Sequence, residues 1–232
     1  MRLDKYLSQA TDYSRKEVKR LIHAYTVTVN GEVERDSGRH ITPEDEVVMD
    51  GINLSAPSTR YLMLYKPEGV VCSTDDPTHP TVIGLIDLPK PELLHIAGRL
   101  DVDATGLVLL TDDGKWSHRI TSPRHKSPKR YLVTTAEPIE ESAIAKFEQG
   151  LWLKGEKMRT KPAGLKIFDP HSAEVTLHEG RYHQVKRMFA SLGNRVITLH
   201  RASIGSIVLD EALEPGEFRH LTEEEVLSFE SS

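Results

Sequence analysis

A single cysteine, Cys72, stands among the 232 residues, so no internal disulfide can form and a reducing, cytoplasmic setting is expected. No apolar run approaches the roughly 18 residues that a membrane span needs, so no membrane partner is expected. The opening Met1-Arg2-Leu3-Asp4-Lys5-Tyr6 is charged and lacks the apolar centre of a signal peptide. The eleven histidines form no His-x-x-x-His pair and no cluster with the cysteine, which argues against a metal centre. Neither GxGxxG nor GxxxxGK[ST] occurs, so no nucleotide cofactor is expected. Cys72 itself has no His-paired context that would activate a thiol and reads as a small core hydrophobe.

Excess positive charge is also missing: the net charge is −5, which excludes a uniformly basic nucleic-acid binder. The average hides an asymmetry. Residues 114–135 carry Lys115, Arg119, Arg124, Lys126, Lys129 and Arg130 without one acid, and residues 180–209 carry Arg181, Lys186, Arg187, Arg195 and Arg201, again without one. From Asp210 onward eight acids face Arg219 alone. Phosphate backbones respond to local basic surface rather than to net charge, so the two acid-free segments point to RNA.

Along the chain, a small module comes first. Leu3, Tyr6 and Leu7 fall at helical spacing; Ser14-Arg-Lys-Glu17 is a capping-box signal for a second helix with Val18, Leu21 and Ile22 on one face. Residues 26–33 alternate around Asn30-Gly31, a strong hairpin signal, and Val47–Met49 is a further short strand. Residues 52–60, rich in small polar residues, read as a linker, which divides the chain into 1–57 and 58–232. Beyond it, strands are predicted at 61–65, 107–110, 131–134, 165–168, 174–177 and 196–199. Helices are predicted at 116–120, 140–149, 183–192 and 223–229. Few βαβ spacings occur, so the fold class is α+β with a mostly antiparallel mixed sheet and flanking helices.

The segment GRLDVDATGLVLLTDDG, residues 98–114, sets Asp101 directly after an arginine and a leucine and before an apolar strand. With no Ser-His pair or metal motif beside it, this carboxylate must act by itself; Asp103, two residues on, is its local rival. The segment resembles the signature of the pseudouridine synthases. Three further segments occur in that family's order: YLMLYKPEGVVCSTDD (61–76), SPKRYLV (127–133) and EGRYHQVKRMFASLGNRVITLHRASIG (179–205). Within the family, DDPTHPTV, TDDGKWSHRITSPRH and EGRYHQVKRMFA look like the branch acting on small-subunit ribosomal RNA. Residues 1–50, with Arg2, Lys5, Arg15, Lys16, Lys19 and Arg20 on the two helices, resemble the S4 RNA-binding domain, whose basic helices would meet phosphates.

The resemblance implies an RNA-uridine isomerase without cofactor. It selects Asp101 over Asp103 as nucleophile and places Lys186 as its ionic partner. It sets Tyr131 against the target base, where it could assist proton removal at C5. Arg99 is expected to enter the RNA and hold the flipped uridine out of its stack, at a cost of a few kcal/mol. Arg124, Lys129, Arg181 and Arg187 are further RNA-contact candidates. The implied partner is 16S rRNA, at the uridine numbered 516, or a small-subunit assembly particle, met by a monomer. A sister enzyme for 23S rRNA and a non-catalytic S4-type assembly factor are the alternatives. A retaining glycosidase would need two carboxylates about 5 Å apart, and no second motif-borne acid is evident.

Overall fold

The computed structural model describes residues 1–55, 58–122 and 127–229, in two compact units, Met1–Thr59 and Arg60–Ser232. Helix content with mixed sheets agrees with the α+β expectation.

In the first unit, α1 (Leu3–Ala10) and α2 (Arg15–His23) precede a four-stranded sheet of β1 (Val27–Val29), β2 (Glu32–Val33), β3 (Val47–Met49) and β4 (Ile52–Leu54) in the order β2-β1-β3-β4. The Ser14 hydroxyl accepts from the Glu17 N–H while the Glu17 carboxylate accepts from the Ser14 N–H, the reciprocal cap read from the sequence. Leu3, Leu7, Val18, Ile22, Val27 and Val47 are fully buried in a core of their own. Part of the expected linker is strand: Ile52 pairs with Met49 and Leu54 with Val47. The reason is the Asp50-Gly51 turn, where both residues have positive φ (51° and 79°), the geometry that a two-residue hairpin requires. Asn30-Gly31 repeats it at 53° and 81°.

The second unit is built on a larger sheet. Its strands are β5 (Tyr61–Lys66), β6 (His95–Ile96), β7 (Thr105–Thr111), β8 (Lys129–Thr135), β9 (Gly164–Asp169), β10 (Ser172–Leu177), β11 (Val196–Ile204), β12 (Ile207–Val208) and β13 (Phe218–His220). The path runs β13-β5-β7-β11-β8-β10-β9, with β6 paired to β7 and β12 to β11. The β7–β11 pair is parallel and its neighbours along the path are antiparallel. Helices α3 (Gly114–Thr121), α4 (Ser142–Gln149), α5 (Gln184–Ser191) and α6 (Glu223–Leu227) flank it.

Both faces of β5 and β7 are covered. Leu62, Leu64, Val108 and Leu110 enter one core with Phe147, Met188 and Phe189; Met63, Leu107 and Leu109 enter another with Trp116, Ile120 and Phe229. Burial on both sides explains why YLMLY and GLVLL run apolar without alternation. Where β7 meets β11, Gly106 stands opposite Arg201 with φ at 108°; a Cβ there would lie 2.3 Å from the Arg201 carbonyl oxygen. Only glycine permits this close approach of the two backbones. The loop from Gly98 to Ala104, carrying Asp101, feeds directly into that junction.

Candidate active site

Asp101 lines a solvent-open cleft together with Arg99, Leu100, Tyr131, Leu177, His183, Val185 and Leu199 among others. The acid comes from the loop before β7, the tyrosine from β8, and His183 and Val185 from the start of α5. Residues distant in sequence thus converge because β7, β11 and β8 are sheet neighbours.

One Asp101 oxygen, Oδ2, lies 3.0 Å from Lys186 Nζ, and the other, Oδ1, lies 3.2 Å from His183 Nε2. The same ammonium reaches Asp103 Oδ1 at 2.6 Å. Burial works against the Lys186 charge, but the hydrogen bonds its ammonium donates to the Asp103 and Asp101 carboxylates outweigh it and raise its pKa. The Lys186 bond in turn lowers the Asp103 pKa. Asp103 is 57% exposed and Asp101 is 24% exposed at the side chain, so the inner carboxylate is the one facing the cleft. Tyr131 is buried, with only 8% of its surface accessible, and presents that part to the cleft. Arg99 is exposed at the rim.

The loop bearing Asp101 is fastened on both flanks by buried polar groups that sequence reasoning did not single out. Arg201, 1% exposed, donates Nη2 to the Gly98 carbonyl at 2.9 Å, Nη1 to the Arg99 carbonyl at 3.2 Å and Nε to the Leu107 carbonyl at 2.8 Å. Lys66, fully buried, donates to the Pro67 and Val102 carbonyls at 2.8 and 3.3 Å. Desolvation lowers the Lys66 pKa. Cys72 is buried as expected, and its Sγ also accepts the Leu100 N–H at 3.2 Å. Burial raises the pKa of that thiol. A loop whose amides and carbonyls are satisfied this way holds its carboxylate without rearrangement. The signal for Arg201 lay in its setting: a charged residue inside the run Val196–Ile204.

The remaining RNA-contact candidates separate. Arg181 donates to the Met158 and Arg159 carbonyls and pairs with Glu179, while Arg187 donates to the Lys154 and Tyr182 carbonyls and pairs with Glu156. Both guanidinium groups therefore tie the start of α5 and the loop before it to the 154–159 segment. Lys129 is half-buried with its ammonium on the Ser127 carbonyl; burial, then the nearby Arg201 charge, lower its pKa. Arg124 lies outside the described residues. In the first unit Arg2, Lys5, Arg15, Lys16, Lys19 and Arg20 are all exposed, and three of them, Arg2, Arg15 and Lys19, gather around Asp4.

Residues 60–191 match the family model described as RNA pseudouridylate synthase, and residues 1–47 match the S4 domain. The chain belongs to the RNA pseudouridylate synthase family. This synthase is 54% identical over 229 residues to the ribosomal small subunit pseudouridine synthase A of Yersinia pestis, covering 98% of this chain and 97% of that one. To the protein of the same name from Escherichia coli (strain K12) it is 53% identical over 229 residues, covering 98% and 99%. A crystal structure of a pseudouridylate synthase with 50% identity superposes at a TM-score of 0.72 over 99% of both chains. No helix among the described residues is long and apolar enough to cross a membrane.

Proposed function

We propose that this enzyme isomerises one uridine of 16S ribosomal RNA, at the position numbered 516, with Asp101 as nucleophile and the target base flipped into the cleft. The supporting observation is the Asp101 carboxylate itself, 3.0 Å from Lys186 Nζ on one oxygen and 3.2 Å from His183 Nε2 on the other, in a cleft that Tyr131 also lines. An ionised carboxylate can attack the nucleoside at C1′ or C6, or promote elimination to a glycal. In each route the N1–C1′ bond breaks, the uracil turns, and C5 bonds to C1′ as its proton leaves. The product is an isomer, so the sequence of steps balances without a co-reactant.

The other residues take roles that follow from position. Lys186 offsets the desolvation that a base entering the cleft imposes on Asp101. Tyr131 stacks under the uracil and is placed to assist proton removal at C5; a base–aromatic stack contributes about 1–3 kcal/mol. Arg99, exposed at the rim, replaces the flipped base in the RNA stack, as a planar guanidinium can. The first unit contributes phosphate contacts, and the enzyme works as a monomer on free rRNA or an assembling small subunit. The names of the relatives favour the small subunit over 23S rRNA, and the retained Arg99, Asp101, Tyr131 and Lys186 set favours an enzyme over a non-catalytic assembly factor.

Mapping pseudouridine across rRNA from cells with and without this gene tests the reading. Loss of one 16S pseudouridine on deletion, restored by the wild-type gene but not by Asp101→Asn, is expected. An unchanged 16S profile would overturn it, and loss at a 23S site instead would reassign the substrate.

A further inference from the structure

The segment Arg181–His183, just before α5, holds its backbone unusually firmly yet leaves one large aromatic ring in the open. His183 adopts the left-handed region, with φ at 47°, which a non-glycine residue occupies only when its surroundings hold it there. Those surroundings are explicit. The Arg181 N–H donates to Gln184 Oε1 at 2.9 Å, the Gln184 N–H donates to the Arg181 carbonyl at 3.2 Å, and Arg187 Nη1 donates to the Tyr182 carbonyl at 3.1 Å. Yet Tyr182 is 77% exposed. Its ring lies on the His183 imidazole, centroids 3.7 Å apart and planes within 20°. Nε2 of the same imidazole lies 3.2 Å from Asp101 Oδ1.

We propose that Tyr182, stacked on His183, is a platform for the base next to the target uridine in the RNA strand. This rests on the reading of Asp101 as the group that attacks that uridine. A lone exposed aromatic residue is ordinary and by itself says nothing. Here the ring belongs to a fixed backbone, is oriented by a near-parallel stack, and stands one imidazole away from the reacting carboxylate. One face is taken by His183. Most of the ring remains exposed and free for a nucleobase to continue the pile, and a strand delivering its uridine to Asp101 brings adjacent bases close to the Asp101–His183 pair. Stacking tolerates any base, because each has a π-face. The platform therefore supplies affinity and register rather than sequence choice.

The test pairs the protein change with an RNA change. Wild type, Tyr182→Ala and Tyr182→Phe are compared on a minimal RNA hairpin and on versions abasic at the 5′ or the 3′ neighbour of the target. Tyr182→Ala should raise KM about 5- to 150-fold, the fold-change equivalent of one stacked base, with kcat at saturating RNA within about twofold. Tyr182→Phe should behave as wild type. One abasic neighbour should weaken wild type by a similar factor and leave Tyr182→Ala unaffected. Losses that simply multiply at both neighbours, or an alanine variant equal to wild type, would overturn the platform. So would a loss confined to kcat, which would mean that the ring serves only to hold His183 against Asp101. Fluorescence anisotropy on the same RNAs reads the non-additivity in binding. It thereby separates failure of the platform from failure of the RNA to be converted.

Discussion

Asp4 in the first unit and Asp101 in the second each lie within ion-pair distance of more than one basic side chain, and they differ in what remains on their open side. Asp4 is closed off: its side chain is 1% exposed, with Arg15 at 2.9 Å, Arg2 at 3.2 Å and Lys19 at 3.9 Å. Those three cations are about half exposed on their outer surfaces. The acid is spent inside the protein, and its effect is to gather positive groups that would otherwise repel one another. Asp101 inverts this arrangement. Lys186 and His183 hold its oxygens while the cleft keeps the carboxylate within reach of a substrate. A carboxylate with cations all round organises a surface, whereas one with basic groups on one side and a cavity on the other is equipped for chemistry.

The sharpest way to break that contrast is to remove the two charges in turn. Asp101→Asn, nearly isosteric, is expected to abolish turnover while RNA affinity and melting temperature change little. Single-turnover assays that retain more than a tenth of wild-type activity would remove Asp101 from the nucleophile role. Asp4→Asn should do the reverse, leaving kcat intact. Lys186 comes next in size. Lys186→Met should lower kcat by at least ~100-fold, the scale of losing a preorganised electrostatic partner. Lys186→Arg should keep part of the rate, since the charge survives in altered geometry. Methionine at this position with wild-type kcat would show that His183 alone suffices to hold Asp101.

The contrast also marks what could be read from residues alone. Ser14-Arg-Lys-Glu17, Asn30-Gly31 and the apolar run after Thr105 each carry a local physical rule, and each element formed where its rule placed it. β6, β12 and β13 did not show themselves, because two or three residues hold no periodicity; neighbouring strands recruit them. The apolar pattern predicts only Val196–Leu199 of β11, because His200, Arg201 and Ser203 interrupt it, while the strand runs on to Ile204. Arg201 is the instructive residue. A buried guanidinium inside a strand looks unfavourable in sequence, and it is stable here because three carbonyls accept from it. Two of them belong to the Asp101 loop, over a hundred residues away in the chain. Likewise, the basic character of Arg181 and Arg187 was visible, but their acceptors, the 154–159 carbonyls and Glu156, appear only in the folded chain.

If the cations around Asp4 face phosphate, removing their unit should change how binding depends on salt. Deleting residues 1–59 is expected to weaken RNA affinity while the second unit, which has its own cores, stays folded. Each lost phosphate contact flattens the plot of log affinity against log salt by roughly 0.7–0.9, so three to six contacts make it shallower by roughly 2–5. Filter binding between low and physiological salt measures this directly. An unchanged slope would mean that the first unit does not anchor RNA.

The smallest effect concerns Asp4 itself and has a defined pH window. The hydrogen bond from Arg2, opposed by burial and aided by Arg15, lowers its pKa from 3.8 to about 2. A folded-state pKa below the unfolded value means that the unfolded chain binds the proton more readily. The stabilisation is therefore complete above the unfolded pKa and disappears as pH falls from about 4 to about 2. A shift of this size corresponds to at most about 2.5 kcal/mol, and the half-exposed cations reduce it through solvent screening to about 1 kcal/mol. Urea unfolding of the isolated first unit at pH 6 should show Asp4→Asn less stable by about that amount, with the difference closing near pH 2. A gap that persists at low pH would assign the loss to packing at the buried site rather than to the ion pairs. Asp4 would then be a space-filling residue, and the exposed cations would owe their arrangement to the helices alone.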